Sequence, residues 1–169
     1  MADQPLRVAQ YLIGEYSAHR ALKRFPQDLT PSGLEEAYAI QSEFVTLRRA
    51  KEGALGGYKL AYTTATMQAR TGLTEPALGY MFKNRLLDSP ATVRAGDYVN
   101  LGLECEIAVR LGRALPPSGT PYTRDKVADA VHSGMPAIEL IDARADPEID
   151  DVFYGFREPK QTPNPPKNH

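Results

Sequence analysis

The sequence predicts an α+β fold in which helices come first and strands follow. Three observations carry that reading. Over the first third, apolar residues recur at helical spacing. From Gly56 onward the apolar runs shorten to strand length. One of them, Leu103 to Leu111, alternates apolar and non-core residues with a period of two. The 169 residues, 42% hydrophobic and 24% charged, have the composition of a folded globular chain and the length of one domain, or of one domain with a tail.

The helical third contains two helices. A first is expected through Leu6–Leu22. Before the second, Ser32 and Glu35 match a capping box, in which each side chain satisfies an orphan backbone N–H near the other. Leu34, Ala37, Tyr38, Gln41, Phe44 and Val45 then share one face, which Gln41 interrupts, and Gly53 supplies the stop. The helical part is bounded at residues 1–53.

The strands follow over residues 54–144, with short helices between them. Gly56 to Tyr62 is short, aromatic-containing and bounded by glycine and threonine, which predicts a strand. Thr64 is positioned to cap a short helix through Met67 and Arg70 that ends at Gly72. After a turn at Thr74-Glu75-Pro76, Gly79 to Phe82 predicts a second strand. In Leu103 to Leu111 every odd position is apolar and the even ones are Glu, Glu, Ala and Arg, so one face is expected to be buried. Residues 123–133 read as a helix capped by Thr123 and ended by Gly134, with His132 near its C-terminal dipole. Met135 to Ile141 is an apolar run of strand length broken only by Glu139. Residues 145–169 carry five prolines (Pro147, Pro159, Pro163, Pro165 and Pro166) and are expected to form a disordered tail, because so little apolar surface cannot offset the ordering entropy.

Composition excludes several function classes. With 20 Lys and Arg against 21 Asp and Glu, the net charge of −1 offers no basic field for nucleic acid. No run approaches 18 apolar residues, so no membrane span is expected, and the first residues lack a signal-peptide pattern. A single cysteine, Cys105, fits a reducing, cytoplasmic setting.

Chemistry concentrates on a few acids. Glu104 and Glu106 are two apart on a strand and leave the same face, with Cα atoms roughly 6.5–7 Å apart. A solvated strand face is the ordinary reading of such a pair. Glu139 complicates it, because a carboxylate within an apolar strand needs a partner. Three carboxylates with no matching histidine or cysteine cluster suit a hard divalent ion, Mg²⁺ or Mn²⁺, and spacing leaves both readings open. Lys59 stands mid-strand, either snorkelling to solvent or serving as a cation that holds a carboxylate. Cys105 faces away from the glutamates and reads as core rather than nucleophile. The histidines show no triad or ligand spacing, and no phosphate loop, CxxC or GxSxG motif is present.

Six segments occur together in a telling order: Glu36-Ala37-Tyr38-Ala39-Ile40-Gln41, Gly57-Tyr58-Lys59-Leu60, Met67-Gln68, Glu75-Pro76-Ala77-Leu78-Gly79, Glu104-Cys105-Glu106-Ile107-Ala108 and Pro136-Ala137-Ile138-Glu139-Leu140-Ile141-Asp142. Each alone is weak. As an ordered set across about residues 5–144, the sequence resembles the hydratase/decarboxylase branch of the fumarylacetoacetate hydrolase superfamily, nearest in type to the 2-keto-4-pentenoate hydratases. The resemblance implies a mixed β-sheet or roll of that superfamily's type behind the N-terminal helices, incomplete at the C-terminus. It implies Mg²⁺ or Mn²⁺ held by Glu104, Glu106 and Glu139, with Lys59 catalytic and Lys59 and Thr63 binding substrate.

The implied substrate is a small 2-hydroxy-2,4-dienoate or its 2-oxo tautomer from aromatic-ring degradation, hydrated to a 4-hydroxy-2-oxo acid. The implied assembly is a homo-oligomer, or a complex with a related decarboxylase or hydratase. Two departures bear on activity. Ala77 stands where such hydratases carry an aspartate, and Ala61 where a glycine is usual. The resemblance also stops near Arg144, which leads us to expect a truncated or frame-shifted product. A 2-oxo acid decarboxylase, such as 4-oxalocrotonate decarboxylase, and a non-catalytic remnant or partner subunit are the alternatives to a hydratase.

Overall fold

A computed structural model describes residues 4–23 and 25–144; the proline-rich stretch expected to be disordered lies outside the described residues. The chain divides into two compact units, one running to Val93 and taking in Arg144, the other spanning Arg94–Ala143.

In the first unit, α1 (Gln4–Ser17) packs on α2 (Leu34–Glu52). Val8, Leu29 and Ile40 form the buried cluster, with Tyr11, Leu12 and Phe25 packed against it. Two departures from the expected helices have local causes. The first ends at Ser17 rather than Leu22, where His19 takes a left-handed φ of 52° that a helix cannot continue through. At α2 the expected Ser32–Glu35 capping box does not form: Gly33 is the N-cap, no side chain caps it, and the Ser32 N–H and Oγ–H both donate to Glu36 Oε2 at 2.7 Å instead. These bonds hold the Glu36 carboxyl below its ordinary pKa. Gly53 ends the helix as expected.

The strands of this unit are β1 (Leu55–Ala61) and β2 (Ala77–Phe82), antiparallel, with α3 (Ala65–Thr71) between them. Thr64 Oγ1 accepts from the Met67 N–H, and Gly72, at a left-handed φ of 71°, closes the helix. The interruption of the apolar face at Gln41 has a structural purpose. Gln41 Nε2 donates to the Leu78 carbonyl at 3.0 Å, while the Leu78 N–H donates to the Tyr38 hydroxyl, also at 3.0 Å. The two side chains therefore satisfy both backbone groups of one β2 residue.

Arg48 knits α1, α2 and β2 together. Its guanidinium lies 4.5 Å from the Tyr16 ring centroid and 4.7 Å from that of Phe82, and it pairs with Glu52. Arg85 donates to the other Glu52 oxygen at 2.9 Å. Burial alone would raise the Glu52 pKa, but the bonds from Arg85 and Arg48 outweigh it and lower the value below the ordinary 4.5. A carboxyl whose pKa is depressed on folding stabilises fully above its unfolded value and loses that contribution as pH falls through the folded one. We therefore expect thermal stability to drop as pH falls from about 5 to below 4.5, and the drop to be smaller in Glu52→Gln. Melts followed by circular dichroism at pH 3.5 and 5.5 check this; identical slopes in the two proteins would remove the assignment.

The second unit is built on β3 (Leu101–Leu111) and β4 (Val131–Asp142), an antiparallel ribbon with α4 (Arg124–Ala128) between its strands. Asp142 Oδ1 accepts from the N–H groups of Val99 (2.8 Å) and Asn100 (3.1 Å), fixing the entry to β3. Three expectations are corrected here. The helix read over 123–133 is only α4: Thr123 caps it as expected, but the chain enters β4 at Val131, because pairing along the eleven residues of β3 outweighs local helical preference. Gly134 and His132 accordingly lie within β4, and His132 is no helix C-terminal residue. The apolar face of β3 is open, with Leu103 67% and Ile107 79% exposed, and Cys105 is exposed rather than core. A two-stranded ribbon is one layer and cannot bury either of its faces by itself.

The α+β class stands, and among the described residues both sheets are two-stranded and antiparallel. No described helix is long and apolar enough to cross a membrane.

Candidate metal centre

The register of the β3–β4 ribbon assembles the centre. Glu104 stands directly across from Glu139, and Glu106 follows two residues along β3 across from Ala137. Side chains alternate along a strand and directly opposed residues share a face, so all three carboxylates leave the same side. One oxygen from each lies within 4.8 Å of the others. Glu104 and Glu106 are exposed and Glu139 is half-buried.

Directly opposed like charges are destabilising. A ribbon that sets Glu104 against Glu139, with Glu106 beside them, gathers negative charge with no histidine or cysteine in the cluster. Carboxylate oxygens are the donors that hard divalent cations take, so the set fits Mg²⁺, Mn²⁺ or Ca²⁺ and suits softer metals poorly.

Lys59 and Thr63 belong to the other unit. Lys59 is on β1 across from Gly79, and Thr63 follows the strand; both are exposed. Ala77 is the first residue of β2. Cys105, on the face of β3 opposite to the glutamates, takes no part in the cluster. Tyr62, passed over in the sequence, has a left-handed φ of 57°. Nothing in its spacing marks this, since the conformation shows only in the backbone.

Comparison with known proteins gives consistent relatives. The 2-oxo-hept-4-ene-1,7-dioate hydratase of Escherichia coli is 30% identical over 144 residues, covering 83% of this chain and 53% of that protein. The 2-keto-4-pentenoate hydratase of Paraburkholderia xenovorans is 31% identical, covering 84% of this chain and 52% of that protein. The chain thus spans about half the length of the curated relatives it matches. Among solved structures, 4-oxalocrotonate decarboxylase from Pseudomonas putida G7, complexed with magnesium and adipate, superimposes with a TM-score of 0.78 at 20% identity, covering 88% of this chain and 56% of that one. That match establishes a shared fold. No protein-family model matches the chain.

Proposed function

We propose, from the premise that this chain is a relative of the 2-keto-4-pentenoate hydratases over about half of their length, that its acidic centre serves chemistry on a small 2-oxo acid. The reaction is the metal-dependent hydration of a 2-hydroxy-2,4-dienoate, in its 2-oxo form, to a 4-hydroxy-2-oxo acid. One observation carries this reading: the β3–β4 register brings Glu104, Glu106 and Glu139 to one face with carboxylate oxygens within 4.8 Å.

In this reading the three glutamates hold Mg²⁺ or Mn²⁺. A divalent cation bound there supplies Lewis-acid polarisation to a substrate that chelates through its carboxylate and 2-oxygen. The chain's own contributions are charge and position. Glu104, Glu106 and Glu139 together carry three negative charges, so a bound dication leaves the centre net negative by one, and an anionic substrate needs a further positive group. By the family resemblance, Lys59 is the cation for the substrate's negative end and Thr63 a hydroxyl donor. Hydration also needs a group that moves protons. Ala77 offers none at the start of β2, which makes decarboxylation of a related 2-oxo acid the second reading, supported by the fold shared with the decarboxylase.

The experiment is turnover by the pure chain. Loss of the dienol absorbance of 2-hydroxypenta-2,4-dienoate with Mg²⁺, abolished by EDTA, is the expected result. Release of CO₂ from 4-oxalocrotonate without hydration would select decarboxylation. Turnover of neither, in a chain that melts cooperatively, would reject catalysis by the chain alone and favour a partner role beside a related hydratase or decarboxylase.

A further inference from the structure

The hairpin that carries Lys59 shows how that side chain is held. Lys59 and Gly79 are directly opposed across β1 and β2. A Cβ built on Gly79 would lie 2.9 Å from Lys59 Cγ, 3.2 Å from Cε and 3.6 Å from Cδ. The stem of the lysine therefore lies across β2, in the space that any other residue at position 79 would fill. A stem atom pressed at Cγ cannot yield by rotating only its tip, so a methyl group there must turn the whole side chain away.

At the end of β1 the backbone takes an uncommon course. Tyr62 has a φ of 57°, a left-handed conformation rare for a bulky residue and costly unless its surroundings impose it. Gln68 Nε2, from α3, donates to the Tyr62 carbonyl at 2.9 Å and so ties this peptide to the helix. The tyrosine is half-buried. Burial pushes its phenol above the ordinary pKa of 10.0, and the positive charge of Lys59 opposes that rise.

We infer that Gly79 is a positioning residue for Lys59: the bare glycine gives the stem its bed across β2, and the left-handed turn at Tyr62, tied to α3 by Gln68, ends the strand that carries it. The inference rests on the reading of Lys59 as the cation that meets the substrate, and it deepens that reading. A lysine otherwise loses much of its rotamer freedom when it binds an anion. One already laid over Gly79 has surrendered part of that freedom on folding, which is preorganisation.

The test reads Lys59 directly, without turnover. The lysines of the full chain are dimethylated with ¹³C-formaldehyde, and the Lys59 resonance is identified by its disappearance in Lys59→Arg. We expect it to stand apart from the other dimethyl-lysines in the wild type. It should move into their envelope in Gly79→Ala. Melting temperatures serve as the folding control. Tyr58→Phe, an exposed tyrosine on the same strand, should leave the signal in place. A wild-type resonance already within the envelope, or one unmoved by Gly79→Ala, would overturn the inference. So would an equal shift in Tyr58→Phe, which would mark a general loosening of the hairpin. Adding Mg²⁺ and oxalate then tests the underlying reading separately: a Lys59 signal that ignores them counts against its substrate role while its positioning stands.

Discussion

Glu106→Gln is expected to remove the stabilisation that Mg²⁺ with oxalate confers on the wild-type chain. Oxalate presents two adjacent carboxylates and imitates the chelating face of a 2-oxo acid. A ligand at one hundred times its Kd adds about 2.7 kcal/mol to the folded state, worth roughly 5–10 °C in Tm for a chain of this size. Glutamine preserves the shape of the side chain but removes its charge, leaving Glu104 and Glu139 as the only carboxylates of the cluster. The same substitution should leave the metal-free protein as stable as before, or more stable by about 0.2–1 kcal/mol, because it relieves repulsion among crowded carboxylates. Opposite signs with and without the cation distinguish a ligand from a structural residue. Equal shifts in wild type and Glu106→Gln would exclude Glu106 from the centre; a lower Tm for the variant in both conditions would make it structural.

Arg144→Ala should be a strongly damaging change in the first unit. The residue is 8% exposed, and its Nη2 faces three carbonyls, of Glu15 (3.3 Å), Tyr16 (3.2 Å) and Arg20 (3.1 Å). Two of these belong to the last turn of α1, whose final carbonyls lack partners within the helix. The guanidinium also lies 4.5 Å from the Tyr16 ring centroid, and the Arg144 carbonyl accepts from the Leu22 N–H at 2.6 Å. Truncation to alanine leaves the backbone bond and removes the rest, at a cost of about 2–4 kcal/mol. Lysine should not rescue it, since a point charge on a flexible stem cannot both stack on the ring and reach this group of carbonyls. Urea unfolding followed by circular dichroism measures the difference. A loss below about 0.5 kcal/mol would show that these contacts contribute nothing measurable in solution.

The helices were legible because their signals are local. Gly53 and Gly72 stop helices where the sequence places them, and Thr64 and Thr123 cap the short ones. The errors fall where distant parts of the chain compete with those signals. Ser32 and Glu35 have the spacing of a capping box, yet Gly33 is the N-cap and Ser32 bonds Glu36 instead. Residues Val131 to Ser133 read as helix by continuation from Thr123, yet β3 recruits them as its partner strand. Gln41 looked like a flaw in an apolar face, and its acceptor is the backbone of Leu78, 37 residues away.

The acidic centre divides along the same line. The sequence by itself determined that Glu104 and Glu106 share a face, because successive side chains on a strand must alternate, and that Cys105 takes the other. It also marked Glu139 as anomalous within an apolar run. Only the tertiary structure decided that Glu139 stands across from Glu104, since register is set by pairing between segments 35 residues apart and a slip of one would send its carboxylate to the opposite side. The bed of Lys59 on Gly79 and the left-handed turn at Tyr62 were likewise beyond the reach of spacing. Alternation follows from the sterics of neighbouring residues, which the sequence carries in full. Register and close approach follow from where the rest of the chain comes to lie.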